Sequence, residues 1–354
     1  MINLAYSPYI LRFKFDAGTS RGVLREKLTY MVKVYDDSCP EICGYGEAAY
    51  FKGLSPEDEK EIIASFKTAK GILNNVPQDT PELPSCVRFG LEQAIRDLKG
   101  GGKGIYFHSP FISGGSEIII NGLVWMGNYE RMLERAIEKA EGGFRCIKFK
   151  IGAVNWEDEL ALLKYVRKNY GNDIQIRVDA NGAFSFDECM KKLEQLSEYS
   201  VHSIEQPIAR GHWEEMAEIC RNSPLPIALD EELIGITGDS MKQLLERIKP
   251  HYIVLKPALC GGLENTLQWI NLAREYKTGW WITSSLESNV GLDALSQFVG
   301  SLGVGNTVQG LGTGNLYVNN FPSPLTLKDE NLYFQGPADI FRDELKTLDW
   351  IEVE

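Results

Sequence analysis

CIKFKIGAVNWEDELALLKYVRKNYGNDIQIRVD, residues 146–179, decides the fold. CIKFKIG (146–152) and IQIRVD (174–179) are short, largely apolar runs of strand character. Between them WEDELALLKYVRKNYG repeats its apolar residues at helical spacing and closes on Gly171. Strand, helix and strand in this compass form a βαβ unit, whose two strands must lie parallel.

The same alternation continues on both sides. Upstream lies IIINGLVW (118–125). Downstream come VHSIEQP (201–207), LPIALDE (225–231), HYIVLKP (251–257), GWWITSS (279–285) and NTVQGLG (306–312), with Ser185-Phe186-Asp187-Glu188 reading as a capping box between two of them. Eight strands with seven crossovers in about 200 residues is the count for a closed parallel barrel of the (β/α)7β type. The competing open, doubly wound sheet announces itself by a glycine-rich fingerprint after its first strand, and none is present.

Residues before this run follow a different rule. Strands are expected at 9–15 and 28–35, with GYGEAAY (44–50) ending a third. Ser55-Pro56-Glu57-Asp58 reads as a helix start, followed by Ile62, Ile63, Phe66, Ala69 and Ile72 at helical spacing, and 86–98 reads as a second helix. Strands followed by helices make an α+β unit, and GGKG (101–104) is the expected hinge out of it. ENLYFQG at 330–336 coincides with the recognition site of a viral protease used to remove tags; because 18 residues follow it, it is read as part of the chain.

Composition narrows the function classes. The chain of 354 residues is 44% hydrophobic and 24% charged, as folded globular proteins are. Its 37 lysines and arginines against 49 acids leave a net charge of −12, which repels phosphate backbones and anionic lipid, so neither nucleic acid nor membrane is an expected partner. There is no apolar run of membrane-spanning length and no signal-peptide pattern at the N-terminus, so a cytoplasmic location is expected. Seven cysteines without a CxxC pair read as reduced thiols. The four histidines lack metal-ligand spacing, so any metal must be held by oxygen.

The chemistry lies in where the charges fall. An unpaired buried charge is costly, yet nearly every expected barrel strand ends in one. The second ends in Lys148-Phe149-Lys150, the third in Asp179, the fourth in Glu205, the fifth in Asp230-Glu231-Glu232, the sixth in Lys256, and the seventh runs into Glu287. The carboxyl ends of parallel barrel strands share one rim, where enzymes of this architecture work. Lys148 and Lys150, two apart, point to one side of their strand, and Lys150 and Lys256 face each other across the ring. Asp179, Glu205 and Asp230 form an arc between them. Three such carboxylates take up protons unless a cation joins them, and their hard oxygens suit Mg²⁺, with Mn²⁺ as an alternative. Salt bridging among these acids and lysines is the plainer reading. With a metal, the indicated reaction is proton abstraction next to a carboxylate, with a lysine as base and an enediolate as intermediate.

KxK, VDAN, IEQP, ALDE and LKP, in this order and spacing, resemble the enolase superfamily, in particular its muconate-lactonizing subgroup. The resemblance covers nearly the whole chain. It implies a capping domain at 1–113, completed by 319–354, over a catalytic barrel at 114–318. It makes Lys150 the acid/base, tuned by Lys148, and Lys256 the opposing lysine. Asp179, Glu205 and Asp230 become the metal ligands, with Asn181 and Glu231 standing behind them.

TSRGVL (19–24), SSLESNVG (284–291) and GLGTGNLY (310–317) further resemble the o-succinylbenzoate synthases of bacteroidete type, which dehydrate a cyclohexadiene carboxylate. On this reading Arg21 closes over the substrate from the cap. Ser284, Ser285, Glu287, Ser288 and Asn289 border it, the last two opening a helix whose free N–H groups favour a substrate anion. Gly312, Thr313 and Gly314 bring backbone close to it. N-acylamino acid racemases and dipeptide epimerases share the lysines and the metal. The epimerases, however, carry an acidic DxD where this chain has GTG. A non-catalytic barrel would have lost a lysine or a ligand. The expected partner is a small carboxylate, with a homo-oligomer possible.

Overall fold

The computed structural model describes residues 1–19, 22–73 and 83–354. Three long strands, β1 (Ile2–Thr19), β2 (Gly22–Asp36) and β3 (Cys39–Ala48), make an antiparallel sheet, and the C-terminal strand Ile351–Glu352 pairs along the outer edge of β1. Helices α1 (Glu59–Ile72) and α2 (Ser85–Lys99) cover one face, burying Ile62, Phe66 and Val87 against Leu4, Tyr30 and Val32. The glycines of GYGEAAY permit this packing: a Cβ on Gly44 would lie 1.9 Å from the Ala94 carbonyl oxygen, and one on Gly46 2.2 Å from that of Gly90. The first helix starts later than expected. Asp58, not Ser55, is the cap, and it forms a reciprocal capping box with Glu61. Ser55 instead accepts the Phe51 N–H within the preceding turn.

The expected first barrel strand divides in two. Ile118–Ile119 (β4) pairs antiparallel with a later hairpin, whereas Gly122–Val124 (β5) enters the barrel. The chain turns between them at Asn121, whose N–H bonds the Gln309 carbonyl. From β5 the alternation runs α3 (Tyr129–Glu141), β6 (Cys146–Lys150), α4 (Trp156–Tyr170), β7 (Gln175–Asp179), α5 (Phe186–Ser197) and β8 (Ser203–Glu205). It continues through α6 (Trp213–Asn222), β9 (Ile227–Leu229), α7 (Asp239–Ile248), β10 (Tyr252–Leu255), α8 (Gly262–Glu275), β11 (Gly279–Ile282) and α9 (Asn289–Ser301). The seven strands from β5 to β11 form one parallel sheet in sequence order.

The eighth position closes the ring without becoming a regular strand. Within 306–312 only single bridges form, Ile120 with Gln309 and Thr283 with Gly310. The Gln309 side chain takes over part of the ladder by accepting the Ile282 N–H, and Gly310 lets Thr283 press against the backbone. The barrel is therefore (β/α)7β. At the amino ends of its strands, β12 (Leu325–Lys328) and β13 (Asn331–Phe334) form a hairpin that continues into β4, with Leu332 and Phe334 buried in the main core. ENLYFQG is thus built into the fold. All seven cysteines are free thiols. Among the described residues no helix is long and apolar enough to cross a membrane.

Candidate active site

Strand pairing brings the charged residues to one level. Lys150 stands in register with Asp179, and Asp179 with Glu205, so neighbouring strands end on the same rim with their charges directed inward. Lys148 donates to Glu205 Oε2 at 2.6 Å and contacts Asp179 Oδ2 at 2.8 Å. Lys150 donates to the same Asp179 oxygen at 2.7 Å and to Asn181 Oδ1 at 2.8 Å. Lys256 pairs with Asp230 from the far side. Asn181, in the left-handed region at φ 46°, donates its backbone N–H to Asp179 Oδ1 and its side-chain amide to Glu231 Oε1. A chain of contacts thus runs from Glu231 through Asn181 to Lys150. Gln206 braces the next loop, accepting the N–H groups of Asp230 and Glu232 and donating to the Glu232 carboxylate.

The electrostatics follow from this crowding. Burial alone would drive Asp179 and Glu205 toward their neutral forms. For Asp179 the ammonium groups of Lys148, Lys150 and Lys256 outweigh that burial and hold it far below the usual carboxylate range. Glu205 goes the other way, pushed up by burial and by the charge of Asp179. Burial works against charge on Lys148 and Lys256 too, but the surrounding acids keep both pKa values above the ordinary lysine value.

The trio fits a divalent cation. Asp179, Glu205 and Asp230 are buried, and each offers an oxygen within 4.8 Å of the other two. Glu205 Oε1 is buried with no hydrogen-bond partner, although its other oxygen is held by Lys148. An all-carboxylate donor set with one unsatisfied oxygen is what a hard, oxygen-seeking ion completes.

A cleft of about 740 Å³ opens above these residues, with Lys148, Lys150 and Asn181 on one side and Lys256 on the other. A model of the enolase C-terminal domain-like family matches residues 131–333, a stretch that holds all three lysines and all three acids. The chain belongs to the enolase superfamily. It is 41% identical to an o-succinylbenzoate synthase from Desulfotalea psychrophila, over 92% of this chain and 97% of that one. The crystal structure of MenC from Desulfotalea psychrophila LSv54 superimposes with a TM-score of 0.80 at 38% identity, covering 94% of this chain and 99% of that one. A dipeptide epimerase from Cytophaga hutchinsonii, solved with Mg and a dipeptide, has the same fold (TM-score 0.83 at 20% identity, all of both chains covered).

Against this enolase-superfamily frame the residues predicted to border substrate divide. Ser284, Ser285, Gly312 and Thr313 line the cleft. Ser285 Oγ is buried without a hydrogen-bond partner there. Arg21 lies outside the described residues. Glu287 does not reach the cleft. It is buried behind it, accepting Ser284 Oγ and the Ser285 N–H, and burial raises its pKa. Ser288 does cap α9, but no anion cradle is left open there. The cap residue Glu47 already accepts the Ser288 N–H at 3.0 Å and the Gly291 N–H at 3.1 Å. Asn289 and Gly314 line a separate cavity behind the 310–315 loop, and Gly314 makes room for the Asn289 amide rather than for substrate.

Several lining residues escaped the sequence reading. Asn121, Leu123 and Trp125 come from the first barrel segment, Thr283 and Leu286 from the seventh, and Leu24, Phe51 and Leu54 from the cap. Leu123 and Trp125 carried a usable signal, since residues two apart on a strand share a face. Glu47 carried one too, as an acid inside the apolar stretch GYGEAAY. Phe51 and Leu54 sit in a turn, where no periodicity fixes direction.

Proposed function

We propose that this protein is an o-succinylbenzoate synthase. It removes water from 2-succinyl-6-hydroxy-2,4-cyclohexadiene-1-carboxylate, with both leaving groups on one face, to give 2-succinylbenzoate on the route to menaquinone. One observation carries the reading: a chain 41% identical to such an enzyme over 92% of its length sets three lysines on one cleft and pairs them with three buried acids. Asp179, Glu205 and Asp230 would hold Mg²⁺, or Mn²⁺ in its place, which when bound supplies positive charge to the substrate carboxylate.

This chain's own residues do the rest. Lys150, steadied by Asn181, takes the proton next to the carboxylate. Lys256 faces the enediolate from the opposite side and needs only to stay charged. The protonated Lys150 then returns its proton to the departing hydroxide on the same face. The C–O bond breaks, water leaves and the ring becomes aromatic. Asn121, Thr283, Ser285 and Thr313 would offer hydrogen-bonding groups to the substrate's polar arm, while Leu24, Leu123, Trp125 and Leu286 would pack on its carbon skeleton. The free thiols support a cytoplasmic enzyme.

The test is a spectrophotometric assay with the cyclohexadiene acid, run beside N-succinylamino acids and dipeptides. Mg²⁺-dependent formation of the aromatic product is expected, and Lys150→Ala slows it by roughly 10²–10⁴-fold. Robust epimerisation of dipeptides without dehydration would overturn the assignment.

A further inference from the structure

The loop from Ser284 to Ser288 forms one wall of the cleft and is held in a costly shape. Leu286, which lines the cleft, adopts φ 62°, a conformation that side chains other than glycine rarely accept. Such a residue persists only where its surroundings over-determine it. Three of the restraints come from within the barrel. Glu287 grips Ser284 and Ser285; Thr313 donates to Ser284 Oγ at 2.8 Å; and Tyr317 donates to the Leu286 carbonyl, also at 2.8 Å.

The fourth restraint comes from the other domain. Glu47 lies on β3 of the cap and is fully buried. Its Oε1 accepts Thr29 Oγ1 at 2.7 Å and the Ser288 N–H at 3.0 Å, and its Oε2 accepts Ser288 Oγ at 2.5 Å and the Gly291 N–H at 3.1 Å. Both oxygens are thus filled, one donor belonging to the cap and three to the first turn of α9. A carboxylate at a helix N-terminus is favourable in charge as well as in hydrogen bonding. The buried Lys27 on β2 offsets part of the negative charge of Glu47 and Glu287.

We propose that Glu47 is a positioning residue for the reaction: its grip on Ser288 fixes the end of the 284–288 loop and keeps Leu286 pressed into the substrate cleft. Without it the left-handed turn relaxes, Leu286 withdraws, and the wall that meets the substrate loosens while the metal arc stays as it is. This rests on the cleft above Lys150 and Lys256 being the catalytic one. It adds that the cap controls substrate binding through a residue that never touches the substrate.

The experiment compares wild type with Glu47→Ala, Glu47→Gln and Ser288→Ala, measuring kcat, KM, Mg²⁺ affinity and melting temperature. Glu47→Ala is expected to raise KM for the cyclohexadiene acid at least tenfold, with Mg²⁺ affinity within twofold of wild type. Glu47→Gln, which keeps one acceptor oxygen, restores part of that loss. Ser288→Ala raises KM about threefold, and combined with Glu47→Ala adds nothing further. A Glu47→Ala protein that melts lower but binds the acid as wild type does would overturn the proposal. If that variant does not fold, Glu47→Gln and Ser288→Ala decide by the same KM criterion. If wild type itself does not turn over the acid, the functional reading fails, and Glu47 is judged by amide hydrogen exchange instead. Glu47→Gln must then accelerate exchange across 284–291 and leave 146–150 unchanged, and equal protection in both proteins refutes the proposal.

Discussion

The upper and lower halves of the barrel interior are built from the same strands, one pleat apart, and treat charge in opposite ways. On β7 the upper residue is Asp179 and the lower is Arg177; following β10 the upper residue is Lys256, and below it stands Val254. The lower half holds a single cation, by a ring and a carbonyl, with Arg177 Nε buried and unpartnered. Arg177 lies 4.2 Å from the Trp281 ring centroid and donates to the Val308 carbonyl, and Val254 and Ala228 pack with Trp281 around it. His202, tilted against Tyr252, is pushed down to about 4 by burial and by Arg177. The upper half collects three ammonium groups and three carboxylates and still leaves Glu205 Oε1 unsatisfied. The lesson is that an unsatisfied atom alone does not distinguish the halves; opposing charges crowded beside a cleft do, and they suit the upper half to a ligand.

The sharpest way to break this contrast is to exchange the two halves' roles by mutation. Lys150→Ala is expected to lower kcat by roughly 10²–10⁴-fold with little change in melting temperature; a variant keeping a third of the activity removes Lys150 from the chemistry. Glu205→Gln comes next. In wild type, Mg²⁺ at a hundred times its Kd should add about 2.7 kcal/mol of stability, and thermal denaturation should show that gain lost in the variant. Lys256→Arg keeps the charge but cannot readily give up a proton. Dehydration should therefore fall less than tenfold, a rise in barrier of under about 1.4 kcal/mol, while any racemisation of N-succinylamino acids should fall further. Equal losses in both would sink the one-base scheme.

Below the rim the signs reverse. Arg177→Met should leave KM and kcat nearly unchanged and cost about 1–3 kcal/mol in denaturant unfolding. The smallest effect concerns His202, whose folded pKa lies below its unfolded value. Its contribution is complete above about pH 6.5 and is lost as pH falls toward about 4, because the unfolded chain takes up the proton first. Allowing for partial exposure, this amounts to about 1–2 kcal/mol. His202→Gln should flatten the stability profile by that much between pH 6.5 and pH 4.

The arc of acids and lysines was legible because a period of two fixes which way each residue points, and because a charge closing an apolar run needs a reason. Lys148, Lys150, Asp179, Glu205, Asp230 and Lys256 all satisfied both conditions. The substrate wall satisfied neither. Ser288 and Asn289 were expected to meet an anion because a helix opens there, but Ser288 meets Glu47, about 240 positions earlier in the chain, and Asn289 donates to Asn320 and Phe321. Glu287 was placed in the cleft because it follows a strand, yet its carboxylate turns back onto Ser284 and Ser285. Arg177 was visible as a charge in IQIRVD, but its partner Trp281 lies about a hundred residues away. The last barrel strand was overcalled because NTVQGLG has strand composition, whereas Gln309 replaces ladder bonds with its own amide. Side-chain contacts between distant loops leave no periodic trace.

The hairpin beneath the barrel has a practical consequence. Within ENLYFQG, Asn331–Phe334 is the middle strand of three, with Leu332 and Phe334 turned into the core. Proteases read their targets as unpaired extended chain, whereas in the native protein this heptad is paired on both sides with Leu332 and Phe334 buried. Once the barrel floor opens, the same heptad becomes a cleavable tether. The molecule therefore carries its own reporter of floor opening, and the rate at which that protease cuts it, with and without Mg²⁺, reads out how tightly the floor is closed.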